Sequence, residues 1–139
     1  MAFSGYLIKL GGSSGTELPL NMVKAESYSA TPNQRMESEA KRDTTGVLHR
    51  TTVSHTATKI EINTIPMTNS EWKTFFKKIT DAFTVAAERK LTLYYYDNDT
   101  DDYKSGTFYM PDIQYPILRV DNEKNVIHYD SIRLAFIEY

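Results

Sequence analysis

Three aspartates in the stretch "DNDTDDYKSGTF" are the residues whose types and spacing most resemble a chemical site. Asp97, Asp99 and Asp101 occupy the first three carboxylate positions of a calcium-binding loop. The sixth position, which needs glycine, is Asp102, and the twelfth, which needs a bidentate acid, is Phe108. We therefore expect a polar hairpin tip here rather than a calcium site.

The histidines do not form a metal-ligand pattern. His49 and His55 are six residues apart, so on one strand they would lie roughly 20 Å from each other. His128 is distant in the sequence, and no nucleophile elbow, phosphate-binding loop or dinucleotide fingerprint is present. We predict no enzymatic activity, no catalytic residues, no metal and no cofactor.

The composition is that of an ordinary globular chain. The 139 residues carry a net charge of −2, which provides no global field for nucleic acid or an anionic membrane. Cysteine is absent, which fits a reducing cytoplasm. We expect no secretory signal and no membrane span, because no basic region precedes an apolar run and no apolar run approaches about 18 residues.

One helix is predicted over about 69–83. Thr68 and Glu71 have capping-box spacing, and Met67 and Trp72 fit a hydrophobic staple. A single apolar stripe at helical spacing follows, and we expect it to seal the helix against a sheet. The stripe consists of Trp72, Phe75, Phe76, Ile79 and Phe83.

Strand patterns dominate the rest of the chain. Alternating residues predict strands near 3–12, 90–97 and 103–110, a strand-forming stretch in 19–29, a short strand within 112–120 and one final strand over 126–139. The fold class is therefore α+β. We expect one domain, residues 1–139, built as a mainly antiparallel β-sandwich or partly open barrel with one packed helix.

A long protruding β-hairpin is predicted over about 35–64, with its turn at "TTG" and an apolar base. From Arg35 to Glu61 five positive and four negative residues nearly cancel, and neither face is apolar through the middle. A two-stranded ribbon alone is marginal in water, and its open edges are templates for another chain. We expect each hairpin to pair with its neighbour's in a ring; a floppy surface loop is the alternative. The residues assigned to this inter-subunit hairpin are Arg35, Glu37, Glu39, Lys41, Asp43, Leu48, Arg50, Thr52 and His55.

Several stretches resemble the small tail proteins of long-tailed bacteriophages, which share a fold with tail-tube, tube-terminator and distal-tail proteins. They are "ESEAKRDTTGVLHRTTV", "KIEINTIPMTNSEWKTFFKKI", "YKSGTFYMPDI" and "DSIRLAFIEY". The resemblance implies a helix on a β-sandwich and a hairpin in the wall of a ring, usually six-fold. It also implies assembly in a bacterial host cytoplasm into a virion, with copies of itself and adjacent tail proteins as partners and DNA passing without specific binding.

Two functions from different classes follow. The first is a structural ring subunit of a phage tail, in the tube, a tail-end adaptor or the baseplate. The second is a monomeric β-rich binding module that would recognise a ligand or host surface through exposed tyrosines and the acidic loop 97–102.

Overall fold

A computed structural model describes residues 3–139. The helix is α1 (Asn69–Thr80), and short 3-10 turns span Leu20–Met22, Ala25–Ser27 and Ala86–Glu88. The strands are β1 (Ile8–Leu10), β2 (Thr16–Glu17), β3 (Ser29–Arg42), β4 (Leu48–Asn63), β5 (Met67–Thr68), β6 (Phe83–Val85), β7 (Lys90–Asp97), β8 (Asp102–Tyr109), β9 (Ile117–Asp121), β10 (Val126–Tyr129) and β11 (Arg133–Glu138).

Two antiparallel sheets make up the architecture. The larger has eight strands in the order β2-β1-β7-β8-β11-β4-β3, with β6 also paired to β7. The smaller has three strands in the order β5-β10-β9. Over residues 3–139, neither sheet closes into a barrel. The predicted α+β class, mainly antiparallel sheet with one helix, is confirmed.

The core fills the space that the large sheet shares with the helix and the small sheet. Strand β7 shows the expected alternation, with Leu91, Leu93 and Tyr95 buried and their neighbours half-buried. From the helix, Trp72, Phe75 and Ile79 join the same buried cluster. Burial of these side chains holds the helix on the core. It also stabilises the helix, since an isolated helix of this length is marginal in water.

The predicted start of the helix is confirmed. The Thr68 hydroxyl accepts a hydrogen bond from the Glu71 amide, and the Glu71 carboxylate accepts one from the Thr68 amide at 3.0 Å. The Thr68 amide and hydroxyl donate to the Glu71 carboxylate and hold its pKa below the ordinary value. A negative charge in the first turn also matches the helix dipole.

The predicted end of the helix is wrong. The helix stops at Thr80, and the Ala82 amide donates to the Ile79 carbonyl, which tightens the last turn. Phe83 lies in β6 opposite Leu91 of β7 and packs half-buried against the core. Phe83 thus continues the helical spacing by coincidence, and sheet pairing determines its conformation.

The C-terminal stretch predicted as one strand forms two. Strand β10 belongs to the small sheet and β11 to the large sheet, so residues 130–132 cross between the sheets. Leu134 and Phe136 are fully buried in β11, as their alternation predicts.

The strand predicted within 19–29 is also wrong, because this stretch contains two 3-10 turns and a single bridge from Val23 to Thr64.

Asp97 stabilises the tip of the β7–β8 hairpin. Its side chain is fully buried and accepts hydrogen bonds from Lys104 Nζ at 2.7 Å, the Asp99 amide at 3.0 Å and the Thr100 hydroxyl at 3.2 Å. Burial acts to raise the pKa of Asp97, but the contacts with Lys104 and the loop outweigh it and lower the pKa below its usual value. The expected polar hairpin tip is confirmed, and its first aspartate points inward.

The Asp97→Asn variant should lose about 1–3 kcal/mol of unfolding free energy at pH 7. A carboxylate with a depressed folded-state pKa stabilises above its unfolded pKa of about 3.9, and this contribution disappears as the pH falls through the folded-state value. Urea denaturation should therefore show a smaller difference in unfolding free energy between the variant and the native chain at pH 2.5 than at pH 7. Asp99→Asn, an exposed position in the same loop, is the control. An equal deficit at both pH values would refute the assignment.

Candidate assembly interface

The most unusual surface of the molecule is the outer part of the β3–β4 hairpin, residues 34–55, named here the arm. Every side chain of the arm that the structure describes is exposed. The hairpin begins at Ser29, earlier than the predicted residue 35, and its strands end at Asn63. The arm is therefore an extension of the large sheet, and none of its described side chains belongs to the buried core.

Thr58 anchors the base of the arm. It is 1% exposed, and its amide donates to Glu138 Oε1 at 2.9 Å. Its hydroxyl oxygen accepts from the Asn33 amide at 3.1 Å and lies 3.3 Å from the Tyr95 hydroxyl. Asn33 has a φ of 51°, a left-handed conformation that asparagine tolerates and that marks a bulge in β3. These contacts fix the point at which the arm leaves the domain.

Two further register shifts change which arm residues share a face. Glu37 lies opposite Thr52 of β4, whereas Glu39 lies opposite Thr51. Because successive residues of β4 point to opposite faces, Glu37 and Glu39 also lie on opposite faces. The simple alternation of charged residues along β3 that the sequence suggests is therefore broken at Ser38.

The charges of the arm are largely paired within it. The Arg50 guanidinium contacts Glu37, and Lys41 Nζ lies 3.1 Å from Glu39. Exposed pairs of this kind contribute at most about 1 kcal/mol each. The pairs leave small local charges of both signs along the arm. Such a mixture does not form a basic surface for binding nucleic acid.

The turn at the tip of the arm is built around Asp43. Its carboxylate accepts hydrogen bonds from the Thr45 amide and hydroxyl, at 2.9 and 2.6 Å, and from the Val47 amide at 3.0 Å. His49 Nε2 lies 2.9 Å from the same carboxylate. The Thr45 hydroxyl and His49 lower the pKa of Asp43 well below its ordinary value. Gly46 adopts a φ of 88°, a left-handed conformation that glycine adopts without strain. The turn is therefore held by contacts among its own residues.

Both edges of the arm lack a neighbouring strand within the described residues. Strand β3 is the last strand of the large sheet, and β11 pairs with β4 only over Lys59–Asn63. Unpaired main-chain amides and carbonyls along such edges are a template for adding a strand from another chain. The arm therefore has a free strand edge on each side within the described residues.

The structure places the residues assigned to the hairpin along this arm. All are exposed, Leu48 at 43%, and His55 Nε2 lies 2.9 Å from the main-chain oxygen of Tyr139. They line two edges of one ribbon, and four of them, Glu39, Lys41, Leu48 and Arg50, also line one polar surface cavity on it. Of the residues assigned to the helix–sheet seal, Trp72, Phe75 and Ile79 are buried, whereas Phe76 and Phe83 are half-buried against the core.

The short strand predicted within 112–120 is present as β9, but sequence reasoning missed its exposed outer edge. It is the outer strand of the small sheet, and Ile117, Leu118 and Val120 are 57%, 58% and 61% exposed. The aliphatic run "PILRV" before the turn "DNEKN" indicated a strand, but Pro111 and Pro116 weakened that prediction.

The tyrosines and the acidic loop of the alternative binding-module hypothesis are engaged internally. The Tyr6 and Tyr103 rings stack at 4.5 Å, and Tyr94 stacks on Tyr103 at 5.5 Å. The Tyr96 hydroxyl donates to Asp101 at 2.7 Å. These contacts are structural and give that hypothesis no specific support.

Between residues 3 and 139, no group of three or more His, Cys, Asp or Glu side chains could hold a metal ion. Within the same residues, no helix has the length and apolarity needed to cross a membrane.

The fold and the arm define a mainly antiparallel α+β protein with an exposed two-edged β-ribbon. The chain belongs to a family of unknown function, DUF6711, whose model matches residues 1–139. A comparison with curated proteins gives no match. Among solved structures, a chain from the tail of an empty GTA particle with C6 symmetry is similar, with a TM-score of 0.52 and 14% identity. The similarity covers 99% of this chain and 95% of that one.

Proposed function

We propose that the chain is a structural subunit of a phage-like tail, which forms a ring by pairing its arm with strands of neighbouring copies. The observation that carries this proposal is the arm, exposed on both faces and open at both edges. Edges of this kind are usually blunted or covered in proteins that stay monomeric. A partner strand on each side would complete the hydrogen bonding that the parent domain leaves open.

The likeness to a tail chain supports the proposal at the level of fold. That chain comes from a particle tail with C6 symmetry, and the match extends over nearly the whole of both chains. Carried over to this protein, it suggests six copies around a channel, with neighbouring tail proteins above and below. A ring requires a heterologous contact, in which one edge meets a different edge of the next copy, and the arm provides two different edges.

The proposed role is mechanical and uses no catalytic residue. The arm would line or support the channel, and the near balance of its charges would let DNA pass without specific binding. We propose that it occupies a tube, tail-end adaptor or baseplate ring of the virion, assembled in the cytoplasm of a bacterial host.

Oligomeric state over a range of concentrations tests the proposal. The native chain should form closed rings, visible by negative-stain electron microscopy, and light scattering should show a species several times the 16.0 kDa mass of one chain. The sample should be examined both dilute and concentrated, because weak contacts between copies form rings only at high protein concentration. A chain that stays monomeric at every concentration, without rings on the grid, would contradict the proposal.

A further inference from the structure

The exposed edge of β9 is a second surface that the single chain does not cover. Ile117 and Val120 share one face of the strand, because their partners Tyr129 and Ile127 are two residues apart on β10. A register shift leaves Leu118 without a residue directly opposite it, and all three aliphatic side chains are more than half exposed. The only neighbour of β9 within the described residues is β10. An outer strand with exposed aliphatic side chains is a template for strand addition.

The charged residues of β9 disfavour pairing with a second β9. In the full-length antiparallel pairing of two copies, Arg119 lies at the centre and would face Arg119 of the other copy. Like charges directly opposite each other destabilise a strand pair. A different strand, on a heterologous surface, is therefore the better partner.

The free edge of β3 at the base of the arm offers a complementary sequence. Arg35 and Glu37 are two residues apart on β3 and therefore share one face. The register shift between them places the two additional residues on β4, between their partners Thr56 and Thr52, and adds none to β3. Met36, between them, is 45% exposed and extends from the other face. An antiparallel β9 can match all three positions. The opposed pairs are Arg119 with Glu37, Val120 with Met36, and Asp121 with Arg35.

The charges also specify the register. Sliding β9 by two residues in one direction puts Asp121 opposite Glu37, and sliding it in the other direction puts Arg119 opposite Arg35. Both slides juxtapose like charges. A parallel alignment over the same residues does so twice, because each strand carries its positive residue before its negative one.

Contacts within the chain are compatible with this pairing. Arg119 lies 3.2 Å from His128, Glu37 contacts Arg50, and Asp121 Oδ1 accepts from two turn amides at 3.1 and 3.2 Å. A carboxylate has about four acceptor sites and a guanidinium five donors, so additional partners can be accommodated.

We propose that β9 of one copy adds as an antiparallel strand to the free edge of β3 in the next copy, over residues 35–37. This inference rests on the proposed function, because the partner is a second copy in a heterologous assembly. The register shift after Glu37 ends the pairing, so the rest of the arm remains available to the neighbouring arm. The contact repeats around a ring and buries the aliphatic edge of every copy.

Disulfide trapping tests the register, because the chain contains no cysteine. One preparation carries Met36→Cys and a second carries Val120→Cys, and the two are mixed, concentrated and oxidised. In the proposed register the two Cα atoms lie about 4.5–5.5 Å apart, within the range for a disulfide. Leu118→Cys replaces Val120→Cys in the matched control, since its diagonal distance of roughly 7–8 Å is too long. We expect the 36–120 pair to give the dominant disulfide-linked dimer.

Charge reversal tests the same contact independently. Arg119→Glu in the second preparation should lower the yield of the 36–120 dimer roughly fivefold, since a like-charge pair costs up to about 1 kcal/mol. Glu37→Arg in the first preparation should restore the yield when both changes are combined.

Electron microscopy of the same mixtures separates the two proposals. Rings without a 36–120 disulfide would overturn the β9–β3 contact and leave the ring proposal intact. Equal trapping of the 36–118 and 36–120 pairs would overturn the register. Absence of both rings and disulfide-linked dimers would overturn the inference together with the proposed function.

Discussion

Replacing residues 36–55 with Asn-Gly should produce a folded chain that no longer assembles. Arg35 and Thr56 are paired across the hairpin, so a two-residue turn can join them without changing the base. The removed side chains that the structure describes are all exposed, and the buried Thr58 contacts remain. We expect the unfolding midpoint in urea to change little, since the core is untouched.

Loss of rings in this shortened variant should be complete by electron microscopy and light scattering at concentrations where the native chain assembles. Thr44→Ala is the control, because it lies at the exposed tip and keeps both strands of the arm at full length. If the shortened chain forms rings as readily as the native one, the arm does not hold copies together.

Phe75→Ala should destabilise the domain by about 3–5 kcal/mol, the range for truncating a buried phenylalanine. Phe75 is 2% exposed and belongs to the core cluster, so the change leaves a cavity in the core beside the helix. Urea denaturation monitored by the fluorescence of Trp72, whose ring centroid lies 5.7 Å from that of Phe75, measures the difference.

Phe76→Ala is the matched control for that substitution. Phe76 is the same residue type one position further along the helix, and it is only half-buried, with its ring stacked 5.0 Å from Trp72. Its truncation should cost roughly 1–2 kcal/mol, because less apolar surface returns to water. Equal losses for the two variants would show that Phe75 does not seal the helix against the sheet.

Features set by neighbouring residues could be predicted from the sequence. The capping box at Thr68 and Glu71, the alternation over Lys90–Asp97 and the β7–β8 hairpin all agree with the structure. Each depends on interactions within a few residues or on a strong period of two.

Features set by distant pairing could not be predicted in this way. Phe83 leaves the helix because its backbone pairs with Leu91, and residues 130–132 interrupt the last strand because β10 and β11 belong to different sheets. The register shifts that separate Glu37 from Glu39 depend on how β4 lies beside β3. No local pattern in the chain carries this information.

The candidate interface was predictable in part. The hydrophilic composition of both faces of the arm indicated an exposed ribbon, and the described side chains of residues 34–55 are exposed. The exposed edge of β9 was not predicted, because Pro111 and Pro116 precede a short aliphatic run and the burial of that run depends on the rest of the fold.

A cryo-electron microscopy reconstruction of an assembled particle containing this protein tests the central claim most directly. We predict a strand from a neighbouring subunit hydrogen-bonded along at least one edge of residues 34–55, in every copy of a closed ring. A reconstruction in which this ribbon packs back onto its own subunit, with no strand from another chain beside it, would contradict the claim.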